Sequence, residues 1–336
     1  MRKLIAWNLM SLDGHFQGSR PWDLDFHQSV WGDELEAISL DQLADMDMLL
    51  FGRKTYDGMK DHWERASGAI AEAMNGMPKR VASRRVEETT WRNAAVMDTD
   101  VVSFVRREKA TAGKNIYVFG SADLLDTLLM HGLVDECRIC LAPLTLGRGS
   151  PLFKSGRGQN LKLLEARTLK TGGIFARYDA RPDRVDSALR LVEAPADVVY
   201  AALVHPEAMV LWRAPDGMAA EVLELDRREG GRFRMALRYD NLDQPGKSGD
   251  GSDIFESRFV RLDPHREVTE AIAFQSDDPA YSGTMMMTTH LRPVGDATEV
   301  SIIARDVPEG IAQEDHLVGL SSTLAKLEEF LLQRPS

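Results

Sequence analysis

Lys79-Arg80-Val81-Ala82-Ser83-Arg84 has the form of a short strand that ends in a hydroxyl residue and an arginine. Two other stretches, 50–56 and 118–122, also run from apolar residues into small or basic ones, and each opens a predicted helix. Backbone N–H groups at a helix start bind phosphate, and arginine and hydroxyl side chains close around the anion. Three such strand ends on one sheet indicate a ligand with several phosphates, and a dinucleotide is the obvious candidate.

Strands and helices alternate through the first half of the chain, which favours an α/β domain with a mostly parallel sheet. One of these helices is predicted over 98–107, with Asp98 as its N-cap. The last two strands, 161–169 and 174–179, meet at Gly172-Gly173 and are predicted to form an antiparallel hairpin at the edge of the sheet.

The second half has a different plan. A strand over 185–192 precedes two short helices, a run of antiparallel strands and one long helix over about 314–332. Apolar residues of that helix repeat every three to four positions, so one face is predicted to be buried; they are Leu317, Leu320, Leu324, Leu327 and Leu331. This order predicts an α+β domain.

Length and charge both indicate two domains, 1–182 and 186–336. A chain of 336 residues is long for one hydrophobic core. Residues 1–182 hold 25 Lys and Arg against 24 Asp and Glu, whereas residues 183–336 hold 16 against 28. The acidic second half argues against nucleic acid and against anionic membrane surfaces as partners.

The absence of membrane, secretory and metal-binding patterns from the sequence predicts a cytoplasmic protein without a bound metal. No apolar stretch reaches membrane-spanning length, and no secretory pattern opens the chain. Cys137 and Cys140 lie three positions apart on a predicted strand, so they point to opposite faces and do not chelate one ion. His62-Trp63-Glu64 lacks the Pro-Cys-x-x-Cys that a zinc deaminase requires.

Six short motifs in the first half follow the order of a known family. They are Ser11-Leu12-Asp13-Gly14, Gly52-Arg53-Lys54-Thr55-Tyr56, Val81-Ala82-Ser83-Arg84, Phe119-Gly120-Ser121-Ala122, Gly132-Leu133-Val134-Asp135-Glu136 and Pro143-Leu144-Thr145-Leu146-Gly147-Arg148-Gly149. With them, residues 1–180 resemble the dihydrofolate reductase-like fold, in the form of the C-terminal reductase domain of the riboflavin-biosynthesis deaminase-reductase. Phe119 stands where that family usually has the first glycine of its turn.

The resemblance implies that NADPH binds at the carboxyl edge of the sheet. It implies that Gly52, Arg53 and Thr55 contact the pyrophosphate and the 2′-phosphate side. It also implies that Ser83 and Arg84 flank the adenosine 2′-phosphate. By the same resemblance, Gly120, Ser121 and Ala122 contact the phosphates, and Ala6 is expected near the nicotinamide. Two arginines near the ribose favour NADPH over NADH, because Arg suits a phosphate dianion.

Hydride transfer to an imine or carbonyl also needs a proton donor. Asp13, Asp25 and His27 are the candidate catalytic residues, and Asp25 takes roughly the place of the pterin-binding carboxylate of true dihydrofolate reductases. The alternative stays open that Asp13 caps a turn and that Asp25 and His27 are solvated loop residues.

The second half resembles the helix-grip (START-related) fold, in the Aha-type branch of the activator of heat-shock-protein ATPase. The motifs are 194–203, His205-Pro206-Glu207 and Glu229-Gly230-Gly231-Arg232-Phe233. The resemblance implies a cavity for an apolar or aromatic small molecule. Its candidate lining residues are Trp212, Arg213, Phe233, Phe255, Phe274, Met286 and His290, although the same residues also fit an ordinary core.

Together these expectations describe an NADPH-dependent reductase of a small heterocyclic or sugar-like substrate, fused to a small-molecule-binding domain. Two alternatives are a non-catalytic pair of binding domains and an interaction protein whose acidic half docks on a chaperone. A homodimer through 134–141 or 161–179 is a further expectation, because relatives of the first domain pair through edge strands.

Overall fold

The computed structural model describes residues 2–83, 88–154, 160–181, 184–214, 217–240, 251–276 and 278–333. The chain divides into two compact units, residues 1–182 and 183–336. Arg84 lies outside the described residues.

The first unit contains ten strands and five α-helices in its described part. The strands are β1 (Leu4–Ser11), β2 (His15–Gln17), β3 (Met46–Gly52), β4 (Lys79–Ala82), β5 (Ala94–Val96), β6 (Asn115–Phe119), β7 (Glu136–Ala142), β8 (Ser150–Pro151), β9 (Lys162–Thr168) and β10 (Ile174–Asp179). The helices are α1 (Asp33–Asp45), α2 (Arg53–Trp63), α3 (Ala69–Gly76), α4 (Val101–Ala110) and α5 (Ala122–Met130), and a 3-10 helix spans Asp25–Ser29.

Eight of these strands form one sheet in the order β5-β4-β3-β6-β1-β7-β10-β9. The pairs from β5 through to β7 are parallel, whereas β10 runs antiparallel to both β7 and β9. This confirms the predicted mostly parallel sheet with an antiparallel edge. Strand β7 lies inside the sheet, with β1 and β10 on its two sides, so it offers no free edge to a second copy, and the expected homodimer stays a prediction. Of the two regions expected to pair, the hairpin region contains an edge strand, β9.

Parallel strands are covered on both faces, and their sequences are correspondingly apolar. One face of the sheet packs on helices through a core that contains Trp7, Phe51, Tyr117 and residues of α1. Helix α4 begins at Val101, three residues after the start of the predicted range 98–107. Its N-cap is Asp100, whose side chain accepts hydrogen bonds from the amides of Val102 and Ser103, and the prediction of Asp98 was wrong.

The second unit is an antiparallel sheet and three helices in its described part. The strands are β11 (Val185–Val192), β12 (Met218–Leu225), β13 (Arg232–Tyr239), β14 (Ser252–Asp263), β15 (Glu267–Phe274), β16 (Met285–Val294) and β17 (Ala297–Arg305), in the order β11-β17-β16-β15-β14-β13-β12. The helices are α6 (Ala196–Val204), α7 (Pro206–Trp212) and α8 (Gln313–Leu332), and a 3-10 helix spans Pro279–Tyr281.

Helix α8 packs its apolar face into the core of this unit. Four of the five predicted leucines are buried there, namely Leu320, Leu324, Leu327 and Leu331. Each fully buried leucine contributes about 1.5–3 kcal/mol relative to an exposed one, so the helix is held by its packing. The same core contains Phe233 on β13 and Val300 and Ile302 on β17.

Candidate functional site

The carboxyl ends of β3 and β6 meet at one edge of the first unit's sheet. Gly52 ends β3 and precedes α2, and Ser121 precedes α5. A Cβ atom on Gly52 would lie 2.1 Å from the hydroxyl oxygen of Ser121. The two helix starts are therefore in direct contact, although the residues are far apart in the chain, and glycine is required at position 52.

Gly120 fixes the same junction from the side of β6. Its φ of +55° lies in the left-handed region, where glycine carries no steric penalty. Its amide donates a hydrogen bond of 2.9 Å to Oδ1 of the buried Asn8, and an added Cβ would approach Cγ2 of Thr55 to 3.3 Å. Gly120 thus ties the ends of β1 and β6 to the first turn of α2.

A cavity of about 980 Å³ opens beside this junction. Four of the predicted cofactor residues line it, namely Thr55, Gly120, Ser121 and Ala122, and so does His27 of the predicted catalytic residues. Phe119 also lines it. The volume is at the upper end of ordinary small-molecule sites, so a ligand of more than one ring fits.

The cavity has an aromatic wall that the sequence did not reveal. It includes Trp7, Phe16, Trp22, Trp31, Trp63 and Phe119. Trp22 is held against α2 at Gly58, where an added Cβ would lie 2.2 Å from the indole ring. Trp22 also has a φ of +60°, an uncommon conformation for a bulky residue. A planar ligand suits such a wall.

The other predicted cofactor residues lie outside the lining of the cavity. Ala6 is buried within β1 at the centre of the sheet. The guanidinium of Arg53 donates to Oδ2 of Asp57 at 3.2 Å and to the backbone carbonyl of Glu88 at 3.3 Å. Ser83 directly follows β4.

Asp13 has a structural role. Its carboxylate accepts hydrogen bonds from the hydroxyl of Ser11 at 2.6 Å and from the amides of Leu146 at 3.0 Å and Gly147 at 2.7 Å. These bonds, that of Ser11 foremost, hold the pKa of Asp13 well below its usual range. Asp13 also lies outside the lining of the cavity, so its hydrogen bonds favour the turn-capping alternative that the sequence left open.

Asp25 and His27 both lie in the short 3-10 helix but differ in environment. Asp25 is exposed and does not line the cavity, so it does not take the place of a substrate-binding carboxylate. His27 lines the cavity, and burial lowers its pKa to about 4. Its Nε2 atom is buried without a hydrogen-bond partner among the described residues. His27 is therefore neutral near pH 7.

Gln42 is a further polar residue of the cavity. It lies on the buried face of α1, with Leu35 and Ile38 at preceding positions of the same stripe. Its Oε1 accepts from Nη1 of Arg138 at 3.5 Å, and its Nε2 is buried without a partner in the described part of the chain. The only signal in the sequence is a polar residue at a helix position where the pattern predicts an apolar one.

In the second unit, the predicted ligand residues divide between core and surface. Trp212, Phe233 and Phe255 are buried in its core, and Phe274 packs against that core. Arg213 is buried as well. It forms an ion pair with Glu270, and its guanidinium lies 4.9 Å from the ring centroid of Phe233.

Met286 and His290 lie on the other face of β16. Met285, Met287 and Leu291 pack in the core, and side chains alternate along a strand, so the two predicted residues point away from it. His290 instead contacts Glu267 at 3.1 Å. The prediction that these two residues line an interior cavity was wrong, because the inward-facing positions of β16 are the neighbouring ones.

Neither a metal group nor a membrane span is found in the described ranges. No set of three or more His, Cys, Asp or Glu there is placed to hold a metal ion. No helix in the same ranges is long and apolar enough to cross a membrane. Cys137 and Cys140 are buried free thiols on β7.

Comparison with known proteins agrees with the two units. The model of the RibD C-terminal domain family matches residues 2–175. The chain belongs to this family. Residues 193–331 match the model of the activator of Hsp90 ATPase homolog 1-like proteins.

Relatives of the family include two uncharacterized proteins of Bacillus subtilis (strain 168). YyaP is 31% identical over 186 residues, which are 53% of this chain and 94% of YyaP. YwjB is 27% identical over 158 residues, which are 45% of this chain and 83% of YwjB. A solved structure, a putative riboflavin biosynthesis protein from Shewanella sp. PV-4, is 20% identical with a TM-score of 0.47 and covers 54% of this chain and 99% of its own.

Proposed function

We propose that this protein is an NADPH-dependent reductase that transfers hydride to a C=N or C=O group of a small heterocyclic or sugar-like substrate. One observation carries the proposal. Two helix starts, at Gly52 and Ser121, meet at the rim of one large cavity with an aromatic wall. Membership in the RibD C-terminal domain family supports a reductase-like role for this site.

The junction fits a pyrophosphate. A group with two phosphates needs backbone that it can approach closely, and Gly120, which lines the cavity, has no side chain of its own. Thr55 and Ser121 add hydroxyl groups at the lining of the cavity. Amides at the starts of α2 and α5 would face the anion, and α2 begins with the cation Arg53.

NADPH, when bound, would supply the hydride. The residues of this chain would hold the nicotinamide and the substrate in contact and keep water away from them. Trp22, packed on Gly58, closes one side of the cavity, and Asn8 fixes the turn at Gly120. His27 is neutral, so it would orient the substrate by a hydrogen bond without adding charge.

For the second unit, we propose a small apolar or aromatic ligand. The match to the activator of Hsp90 ATPase homolog 1-like family supports a ligand-binding role. Capture or delivery of the substrate for the first unit is a natural link between the two roles.

Titration with NADPH and with NADH tests the proposal, with quenching of tryptophan fluorescence as the signal. We expect NADPH to bind in the micromolar range and NADH more weakly. Arg53 would have to turn its guanidinium from Asp57 to the 2′-phosphate of the bound nucleotide. Arg53→Ala should then weaken NADPH binding by about tenfold, since a hydrogen bond to a charged group contributes about 1.5–3 kcal/mol. NADH, which has no 2′-phosphate, should be affected less.

Arg65→Ala is the matched control, because it removes the same charge from an exposed position just after α2. It should leave both affinities unchanged. No binding of either nucleotide to the wild-type protein would refute the proposal. Equal binding of both, unaffected by Arg53→Ala, would refute the preference for NADPH.

A further inference from the structure

Two polar side chains of the cavity each have a ring or amide nitrogen without a hydrogen-bond partner in the described part of the chain. Nε2 of His27 and Nε2 of Gln42 are both buried, and neither has a partner among the described residues. Both residues line the same cavity. Buried polar atoms in folded proteins are nearly always hydrogen-bonded, so each exception calls for an explanation. A ligand in the cavity beside them explains both.

The contact with Arg138 fixes which way the amide of Gln42 points. A guanidinium only donates hydrogen bonds, so the oxygen of Gln42 faces Arg138 and the NH₂ group is turned away from it. The group without a partner is therefore a donor, and its ligand counterpart must be an acceptor.

The charge of this part of the cavity follows from the same residues. Gln42 carries no charge, and burial keeps the imidazole of His27 neutral. Asp25, the residue expected to supply a carboxylate, is exposed and outside the lining. The carboxylates that do line the cavity belong to Asp57, which pairs with Arg53, and Asp123, which pairs with Lys154. A ligand edge made only of donors, such as an amino group beside a ring N–H, therefore finds no carboxylate at Gln42 or His27.

We propose that Gln42 and His27 select the substrate by an uncharged polar edge that carries a carbonyl oxygen, with Gln42 donating to that oxygen. The inference rests on the proposed function of the cavity as a substrate site. The nearby aromatic rings, among them Trp7 and Trp31, suit a planar ring that presents this edge. Gln42 and His27 are positioning residues, and hydride transfer remains with the cofactor.

A pair of ring compounds that differ at one group tests this selection. Lumazine has carbonyls at ring positions 2 and 4, whereas pterin has an amino group at position 2 and keeps the carbonyl at position 4. The pair therefore tests the specific form of the proposal in which Gln42 donates to the oxygen at position 2. Binding of each to the full chain is measured by calorimetry without nucleotide, at a pH where both are uncharged. We expect lumazine to bind about tenfold more tightly, since an unmatched donor faces the amide in the pterin complex.

Gln42→Glu provides the decisive variant. It keeps an oxygen towards Arg138 and replaces the donor by an acceptor, so it should reverse the preference in favour of pterin. Gln28→Glu is the matched control, because it makes the same change at an exposed residue of the 3-10 helix and should leave the preference unchanged. A merely structural role for Gln42 would weaken both compounds alike.

Gln42→Leu gives a second test that does not introduce a charge. It should weaken lumazine by about tenfold and leave pterin unchanged, and urea unfolding checks that each variant folds. Equal wild-type binding of the two rings, or binding of neither, overturns the proposal. These measurements contain no nucleotide, so a preference that depends on Gln42 supports this proposal even if the NADPH titration fails. NADPH binding without that preference would overturn the role of Gln42 and leave the proposed function intact.

Discussion

Gly52 and Ser121 are packed so closely that one additional carbon atom on the glycine would overlap the serine hydroxyl, at 2.1 Å. Since Gly52 has an ordinary φ of −74°, the backbone itself would accept another residue. The requirement for glycine is therefore purely a matter of the space that Ser121 occupies. This gives the site a pair of residues that can be varied together.

Gly52→Ala is expected to destabilise the first unit by about 1–3 kcal/mol, the usual cost of overpacking, and to abolish NADPH binding. Ser121→Gly in the same chain should restore both properties, because it removes the side chain that the new Cβ would meet. It also places glycine at a φ of +57°. Urea unfolding and the fluorescence titration measure the two effects, and absence of rescue in the double variant would contradict the steric explanation.

Gly58→Ala is expected to displace the indole of Trp22 from α2. A change from glycine to alanine within a helix ordinarily stabilises it by about 1 kcal/mol, but here the new Cβ would lie 2.2 Å from the ring. We expect a net loss of stability and an altered tryptophan emission spectrum. Gly76→Ala in α3 is the control, since it meets no atom within 4 Å and should be neutral or stabilising.

Arg213→Met should destabilise the second unit by about 3–5 kcal/mol, because it leaves the buried carboxylate of Glu270 without its partner. The double change Arg213→Met/Glu270→Leu should recover most of that loss, since it removes both charges together. Chemical denaturation of the full chain, followed by hydrogen exchange of β15, measures both. A double variant no more stable than the single one would exclude the ion pair as the cause.

The stability of the second unit should fall in acid because of Asp186. Burial alone would raise the pKa of this carboxyl, but hydrogen bonds from Arg184, His316 and Gln313 outweigh it and hold the pKa below its usual value. A depressed pKa contributes stability above about pH 3.9 that is lost as the pH falls towards the folded-state value.

Hydrogen exchange in α8, which holds His316 and Gln313, should accordingly accelerate below about pH 4. Asp186→Asn should be less stable at pH 7 and should show a flatter dependence on pH between 3 and 6. An unchanged pH profile in that variant would assign the acid sensitivity to other carboxylates.

Most of the order of elements and the character of both sheets followed from sequence patterns, because alternation and periodicity report burial directly. Helix α3 and the short strands β2 and β8 were not predicted. Predictions for single residues failed where two neighbouring residues fit the same role equally well. Asp98 and Asp100 are both good N-caps, and only the folded helix distinguishes them. The three consecutive methionines at 285–287 carry no alternation, so the face of Met286 was decided by its strand partners.

The sequence predicted residues of the cavity lining only where they belong to short local motifs. Gly120 and Ser121 belong to such a motif, and both line the cavity. Gln42 and Trp22 do not, because their roles depend on contacts with residues distant in sequence. Asp13 shows the opposite case, since its family motif suggested chemistry and its hydrogen bonds to the loop at 146–147 favour a structural role.

The position of β6 has a consequence for how the first unit assembles. β6 lies between β3 and β1, yet it follows β3, β4 and β5 in the chain. Until it inserts, the central sheet has an open slot, and the turns at Gly52 and Gly120 cannot meet. A nascent or partly unfolded chain therefore lacks the proposed nucleotide site, and any ligand that binds at this junction will selectively stabilise the fully assembled sheet.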